Sequence, residues 1–136
     1  LFVINELNST MSVYDILSDT VTVKHTVSTL PEGYGERSYC ADIHLSRNGN
    51  KIYGSNRGHN SIVTFRVGVG AALSEPDHLG CGGNWPRNFA VSPSGKLFLV
   101  ANQRSNEITV VREGGNSDVT VSAMAMNAPS CVRFLK

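Results

Sequence analysis

Three kinds of side chain in this sequence have the right types and spacing for acid–base and anion chemistry. Glu6, Arg57 and Gln103 each follow an asparagine, namely Asn5, Asn56 and Asn102, and each asparagine closes an apolar run. Arg87 and His44 lie in two other runs of similar texture, Arg87-Asn88-Phe89-Ala90-Val91 and Ala41-Asp42-Ile43-His44-Leu45. A guanidinium is a rigid fork that matches a phosphate or carboxylate. Adding water to a carbonyl group needs a base for the water proton and a positive group or donor at the developing oxyanion. Glu6 is the candidate base, Arg57 and Arg87 the candidates for anion and oxyanion, and His44 a candidate proton carrier. Asn56, Gln103 and His59 are expected to line the same place as substrate contacts.

Each of these residues also has a structural reading. Glu6 pairs with Arg57 as a strut, Arg87 holds loop carbonyls, His44 makes a hydrogen bond between neighbouring units, and His59 caps a turn or packs. The three asparagines occur in every unit, which points to a structural task, since an asparagine side chain satisfies turn backbone groups. Glu6, Arg57 and Gln103 differ at one shared repeat position, and that difference is the hint of function internal to the sequence.

The positioning elements follow from the repeat. Leu1-Phe2-Val3-Ile4-Asn5, Ile52-Tyr53-Gly54-Ser55-Asn56 and Phe98-Leu99-Val100-Ala101-Asn102 each lead through a polar turn to a second apolar strand. Their asparagines lie 51 and then 46 residues apart, and Ser9, Asn60 and Asn106 recur four residues after them. A period near 40–50 residues is that of four-stranded propeller blades. Arg47-Asn48-Gly49-Asn50 and Pro93-Ser94-Gly95-Lys96 read as hairpin turns. Weaker outer strands are expected at Val21–Val27, near Leu73–Leu79 and at Val119–Ala125, and no window has a sustained helical period. The expected fold is all-β, a propeller of four-stranded antiparallel blades. The blades run roughly 1–30, 40–80 and 87–126, with Cys131–Leu135 as a closing inner strand. The chain is expected to be a piece of a longer propeller, since three blades are fewer than the usual four to eight. The other source of missing blades is a second copy joined through open blade edges.

Composition narrows the classes. The 136 residues carry 12 Lys+Arg against 11 Asp+Glu, a net charge of +1, which excludes a bulk-charge nucleic-acid binder. No apolar run approaches the roughly 18–20 residues of a membrane span. His25, His44, His59 and His78 lack metal-ligand spacing, so neither a metal nor a cofactor is expected. Cys40, Cys81 and Cys131 form an odd set without CxxC spacing. They are expected to be reduced, as in a cytoplasmic protein.

Taken in order, Asn5-Glu6-Leu7-Asn8-Ser9, Ala41-Asp42-Ile43-His44, Ser55-Asn56-Arg57-Gly58-His59, Trp85-Pro86-Arg87-Asn88-Phe89, Ala101-Asn102-Gln103 and Cys131-Val132-Arg133-Phe134 resemble the last three blades of the seven-bladed lactonase propellers. That family includes 6-phosphogluconolactonases and carboxy-muconate cyclases. The resemblance implies seven blades, hydrolysis of a phosphorylated or carboxylated sugar lactone, and a small anionic lactone as partner. Glu6, Arg57, Arg87 and His44 match the family's motifs in place. The alternatives are a catalytically silent propeller acting as a binding scaffold, and a cyclase that runs the lactone bond the other way on a muconate.

Overall fold

The computed structural model describes residues 1–112 and 119–135. It contains eleven strands in three antiparallel sheets. The first sheet is β1 (Phe2–Asn5), β2 (Thr10–Leu17) and β3 (Thr20–Ser28), in that order. The second is β4 (Tyr39–Leu45), β5 (Lys51–Arg57), β6 (Ser61–Arg66) and β7 (Asp77–Gly80). The third is β8 (Pro86–Val91), β9 (Phe98–Asn102), β10 (Glu107–Arg112) and β11 (Val119–Ala125). Each sheet is a meander in chain order, which makes it a propeller blade. Among the described residues, Val69–Ala71 is a single 3₁₀ turn.

Blades stack face to face, and two apolar seams hold them. Met11 of the first blade packs with Ile52, Val63 and Phe65 of the second. Tyr53, Ile62 and Leu79 of the second pack with Phe89, Phe98, Val100 and Val111 of the third. Phe65, Phe89 and Phe98 are fully buried, each worth about 1.5–3 kcal/mol of transfer free energy. β5 lies under a blade on both faces, so its residues from Ile52 to Arg57 are all buried. Gly54 lets the blades approach closely there: a Cβ would lie 2.5 Å from Ile4 Cδ1 and 3.2 Å from Val63 Cγ1, so both side chains would have to shift.

Polar fasteners repeat beside the apolar seams. Ser9, Asn60 and Asn106 all adopt left-handed backbone, with φ of 50°, 58° and 56°. Their carbonyls accept hydrogen bonds from the amides of Thr29, Cys81 and Met126, just past each outer strand. The hairpin turns also match: Gly49 and Gly95 have φ of 72° and 73°, and their amides donate to Ser46 and Ser92.

One expected element is absent. Cys131–Leu135 forms no strand, because no ladder partner lies beside it among the described residues. Its attachments are instead to β8, where the Val132 amide donates to Asn88 Oδ1 at 2.7 Å.

Candidate functional site

The inner strands β4 and β8 both begin with a bulge. Ala41 and Asp42 lie between the pairs Cys40–Asn56 and Ile43–Gly54, and Arg87 interrupts the register between Pro86–Asn102 and Asn88–Ala101. Bulges re-aim side chains, and these two turn Asp42, Arg87 and Asn88 towards the end of β1 and β5. Pro86 is tolerated because the irregular register asks no ladder bond of it.

A cavity of about 360 Å³ forms there, lined by Glu6, Ala41, Asp42, Arg57, Arg87, Asn88 and Ser130. Glu6, Arg57 and Arg87 therefore line one place. Arg57 Nη2 donates to Glu6 Oε1 at 2.6 Å and to the Cys40 carbonyl at 2.8 Å. The Arg57 side chain is only 8% exposed, whereas that of Glu6 is 60% exposed. Glu6 can thus leave the pair for water or a ligand while the guanidinium stays. Arg57 Nε is buried and has no hydrogen-bond partner among the described residues. Arg87 is exposed and extends the positive lining towards solvent.

Asp42 and Asn88 are the site residues the sequence reading passed over. Asp42 Oδ2 accepts from His44 Nε2 at 2.9 Å, from the Phe89 amide at 3.1 Å and from Asn88 Nδ2. Its Oδ1 accepts from the Ile43 amide. Burial by itself pushes the Asp42 carboxyl up, but the hydrogen bonds from His44 and from the Phe89 and Ile43 amides, with the His44 charge, hold it below the ordinary value. A carboxylate with those donors is held as an anion and is no proton acceptor at neutral pH. Asn88 passes the link on to Val132, so one pattern joins three successive inner segments. The signal was present in the equivalence of Asp42-Ile43 and Asn88-Phe89 after each strand start.

The other expected site residues do not line this cavity. His44 reaches it only through Asp42, and its ring packs edge-on against Phe89 at 4.8 Å, the between-blade role. Asn56 is fully buried, with its amide donating to the Thr29 carbonyl and to Ser61 Oγ, and its Oδ1 accepting from Thr29 Oγ1. Nothing of its amide remains for a substrate. Gln103 lies in the turn after β9, where its backbone N–H donates to the Trp85 carbonyl. His59 Nδ1 bonds Ser61 Oγ at 2.7 Å, and its ring packs against Tyr34 and His78. Burial and the neighbouring His78 charge push the His59 imidazole pKa down.

Cys40, Cys81 and Cys131 carry free thiols. Burial pushes the Cys81 thiol up to about 11 and raises that of Cys40 as well. A larger hollow of about 800 Å³ lies among hairpin-turn residues such as Arg47, Asn48 and Gly95. It holds cations without a carboxylate to act as base.

The model of the family "Lactonase, 7-bladed beta-propeller" matches residues 1–134. The chain belongs to the seven-bladed lactonase propellers. Similar members of this lactonase family include a 6-phosphogluconolactonase of Formosa agariphila, 42% identical over 96% of this chain and 38% of its own length. Another is the 6-phosphogluconolactonase of Bacillus subtilis, 29% identical over 80% of this chain and 32% of its own. Among solved structures, the periplasmic gluconolactonase of Pseudomonas aeruginosa superposes with a TM-score of 0.88 at 28% identity, covering 96% of this chain and 38% of that one. The chain spans about two fifths or less of the length of these lactonase propellers. Among the described residues no helix is long and apolar enough to cross a membrane.

Proposed function

We propose that the full-length protein hydrolyses a phosphorylated or carboxylated sugar lactone, with 6-phosphogluconolactone as the first substrate to test. The observation that carries the reading is the Glu6 carboxylate, 2.6 Å from Arg57 in a cavity that Arg87 also lines. The names of the similar proteins support it.

Glu6 takes a proton from a water molecule as the water oxygen bonds to the lactone carbonyl carbon. The carbonyl oxygen becomes an oxyanion, which the Arg57 fork stabilises with donors aimed from a desolvated position. Collapse of this intermediate breaks the ring C–O bond, and the proton held by Glu6 passes to the departing oxygen. Arg87, the more exposed cation, holds the substrate's phosphate or carboxylate. Breakage of the Glu6–Arg57 pair on substrate entry frees the base and the fork together.

The test is Glu6→Gln in the full-length protein, assayed for lactone opening by acid release. General-base removal is expected to lower kcat about 10²–10⁴-fold. The 2.6 Å pair also suits the scaffold reading, in which Glu6 and Arg57 are a strut. In that case the variant loses stability and no lactonase activity changes.

A further inference from the structure

Beside Arg57, outside the cavity lining, lies the indole of Trp85. Arg57 Cζ lies 5.5 Å from the ring centroid, and Arg104 Cζ lies over the same ring at 3.2 Å. Trp85 has φ of 68°, a left-handed conformation that bulky side chains seldom adopt. Several hydrogen bonds determine that backbone. The Trp85 amide donates to Asn60 Oδ1 at 2.9 Å, and its carbonyl accepts from the Gln103 amide at 3.1 Å. The adjoining Asn84 donates to Ser105 Oγ and accepts from the Arg104 amide.

The repeat supplies an internal control. Ala128 precedes Pro129 as Trp85 precedes Pro86, its φ is also positive at 41°, and its amide donates to Asn106 Oδ1 at 3.0 Å. The same connection between blades thus demands the same conformation twice, and a methyl group satisfies it at one of the two places. The indole is more than the turn needs. What it touches is Arg57, Arg104 and the tilted ring of Tyr39 at 6.0 Å.

We propose that Trp85 is a positioning residue for the Arg57 guanidinium, holding its plane while its N–H donors change partner from Glu6 to an anion. This rests on the lactonase reading of the cavity. In the free protein Nη2 is shared between Glu6 and the Cys40 carbonyl, and Nε has no partner. When the Glu6 bond breaks, the hydrogen bond to the Cys40 carbonyl holds one nitrogen of the buried fork in place, and the indole face fixes its plane. A cation–π contact uses the face of the guanidinium and none of its in-plane donors. Arg104, on the same ring, adds a second positive charge that favours an incoming anion.

The experiment uses the full-length protein labelled with 5-fluorotryptophan, and the fluorine resonance missing from W85F is that of Trp85. Titration with 6-phosphogluconate, against chloride at equal ionic strength, is expected to shift that resonance saturably. In unlabelled protein W85A is expected to lower kcat about tenfold per folded molecule with KM little changed, and W85F to recover most of it. Folded protein is counted by circular dichroism under assay conditions. The proposal is overturned if the resonance ignores the anion, or if the loss of kcat follows the folded fraction alone. Should W85A not fold, an unresponsive wild-type resonance overturns it by itself. A wild-type protein that opens no lactone while its Trp85 resonance responds to the anion defeats the lactonase reading and upholds the coupling of Trp85 to Arg57.

Discussion

At the seam between the first and second blades, Asn56 ties β5 to Thr29; at the seam between the second and third, Asn102 ties β9 to the Cys81 carbonyl, with Thr109 Oγ1 donating to the same oxygen. Both asparagines are fully buried. One residue further on, the seams part. Arg57 turns into a cavity beside Glu6, while Gln103 sits in a turn and braces the Trp85 carbonyl. Among the described residues the Glu6–Arg57 pair belongs to the first of these seams, and Arg87 joins the same opening from the third blade. A repeat therefore separates two tasks by position: residues that recur hold the blades, and the neighbouring residue, free to vary, is where chemistry enters.

The largest expected effect tests that separation directly. Arg57→Ala in the full-length protein should lower kcat/KM about 10²–10³-fold, the usual consequence of losing one oxyanion donor. Gln103→Ala, at the matching place of the other seam, should change it less than about threefold. Steady-state kinetics on both variants decides, and equal losses would erase the distinction between the seams.

A smaller effect is expected from the fasteners themselves. Asn56→Ala and Asn102→Ala each leave buried partners unsatisfied, at a cost of about 1–3 kcal/mol apiece. Urea unfolding should show losses of similar size at the two seams. A much larger loss of activity than of stability in Asn56→Ala would return that residue to the substrate contacts.

The smallest effects separate the seams by pH. His59 stands at the first seam, with a pKa below the ordinary 6.5 because burial, and then the His78 charge, disfavour its protonated form. As pH falls through 6.5 the unfolded chain binds protons before the folded one does, so stability should decline from there towards the folded pKa and then level off. Asp42 bridges β4 to β8 at the second seam, with a lowered pKa. Its contribution is complete above the ordinary 3.8 and is lost as pH drops from there through the folded value. Urea midpoints followed from pH 8 to pH 3 should fall in two stages. His59→Gln should remove the first stage and leave the second.

The sequence by itself determined the blades. Periodic asparagines, strand–turn–strand spacing and the Asn-Gly and Pro-Ser-Gly turns are local signals, and each reports a choice that backbone sterics make within a few residues. The shared repeat position of Glu6 and Arg57 was legible for the same reason, since equivalent positions in stacked blades open at the same end. Tertiary structure alone decided the rest. The bulges at Ala41-Asp42 and at Arg87 bring Asp42 and Asn88 into the cavity, and a bulge is a property of two strands paired together. His44 and Asn56 have the chemistry of site residues, but their partners, Asp42 and Phe89 for one and Thr29 for the other, consume it. Cys131–Leu135 has the apolar texture of a strand, yet a strand exists only where a neighbour offers its hydrogen bonds. Local sequence sets what a segment is able to form, and long-range contact sets which of its polar groups remain free to act.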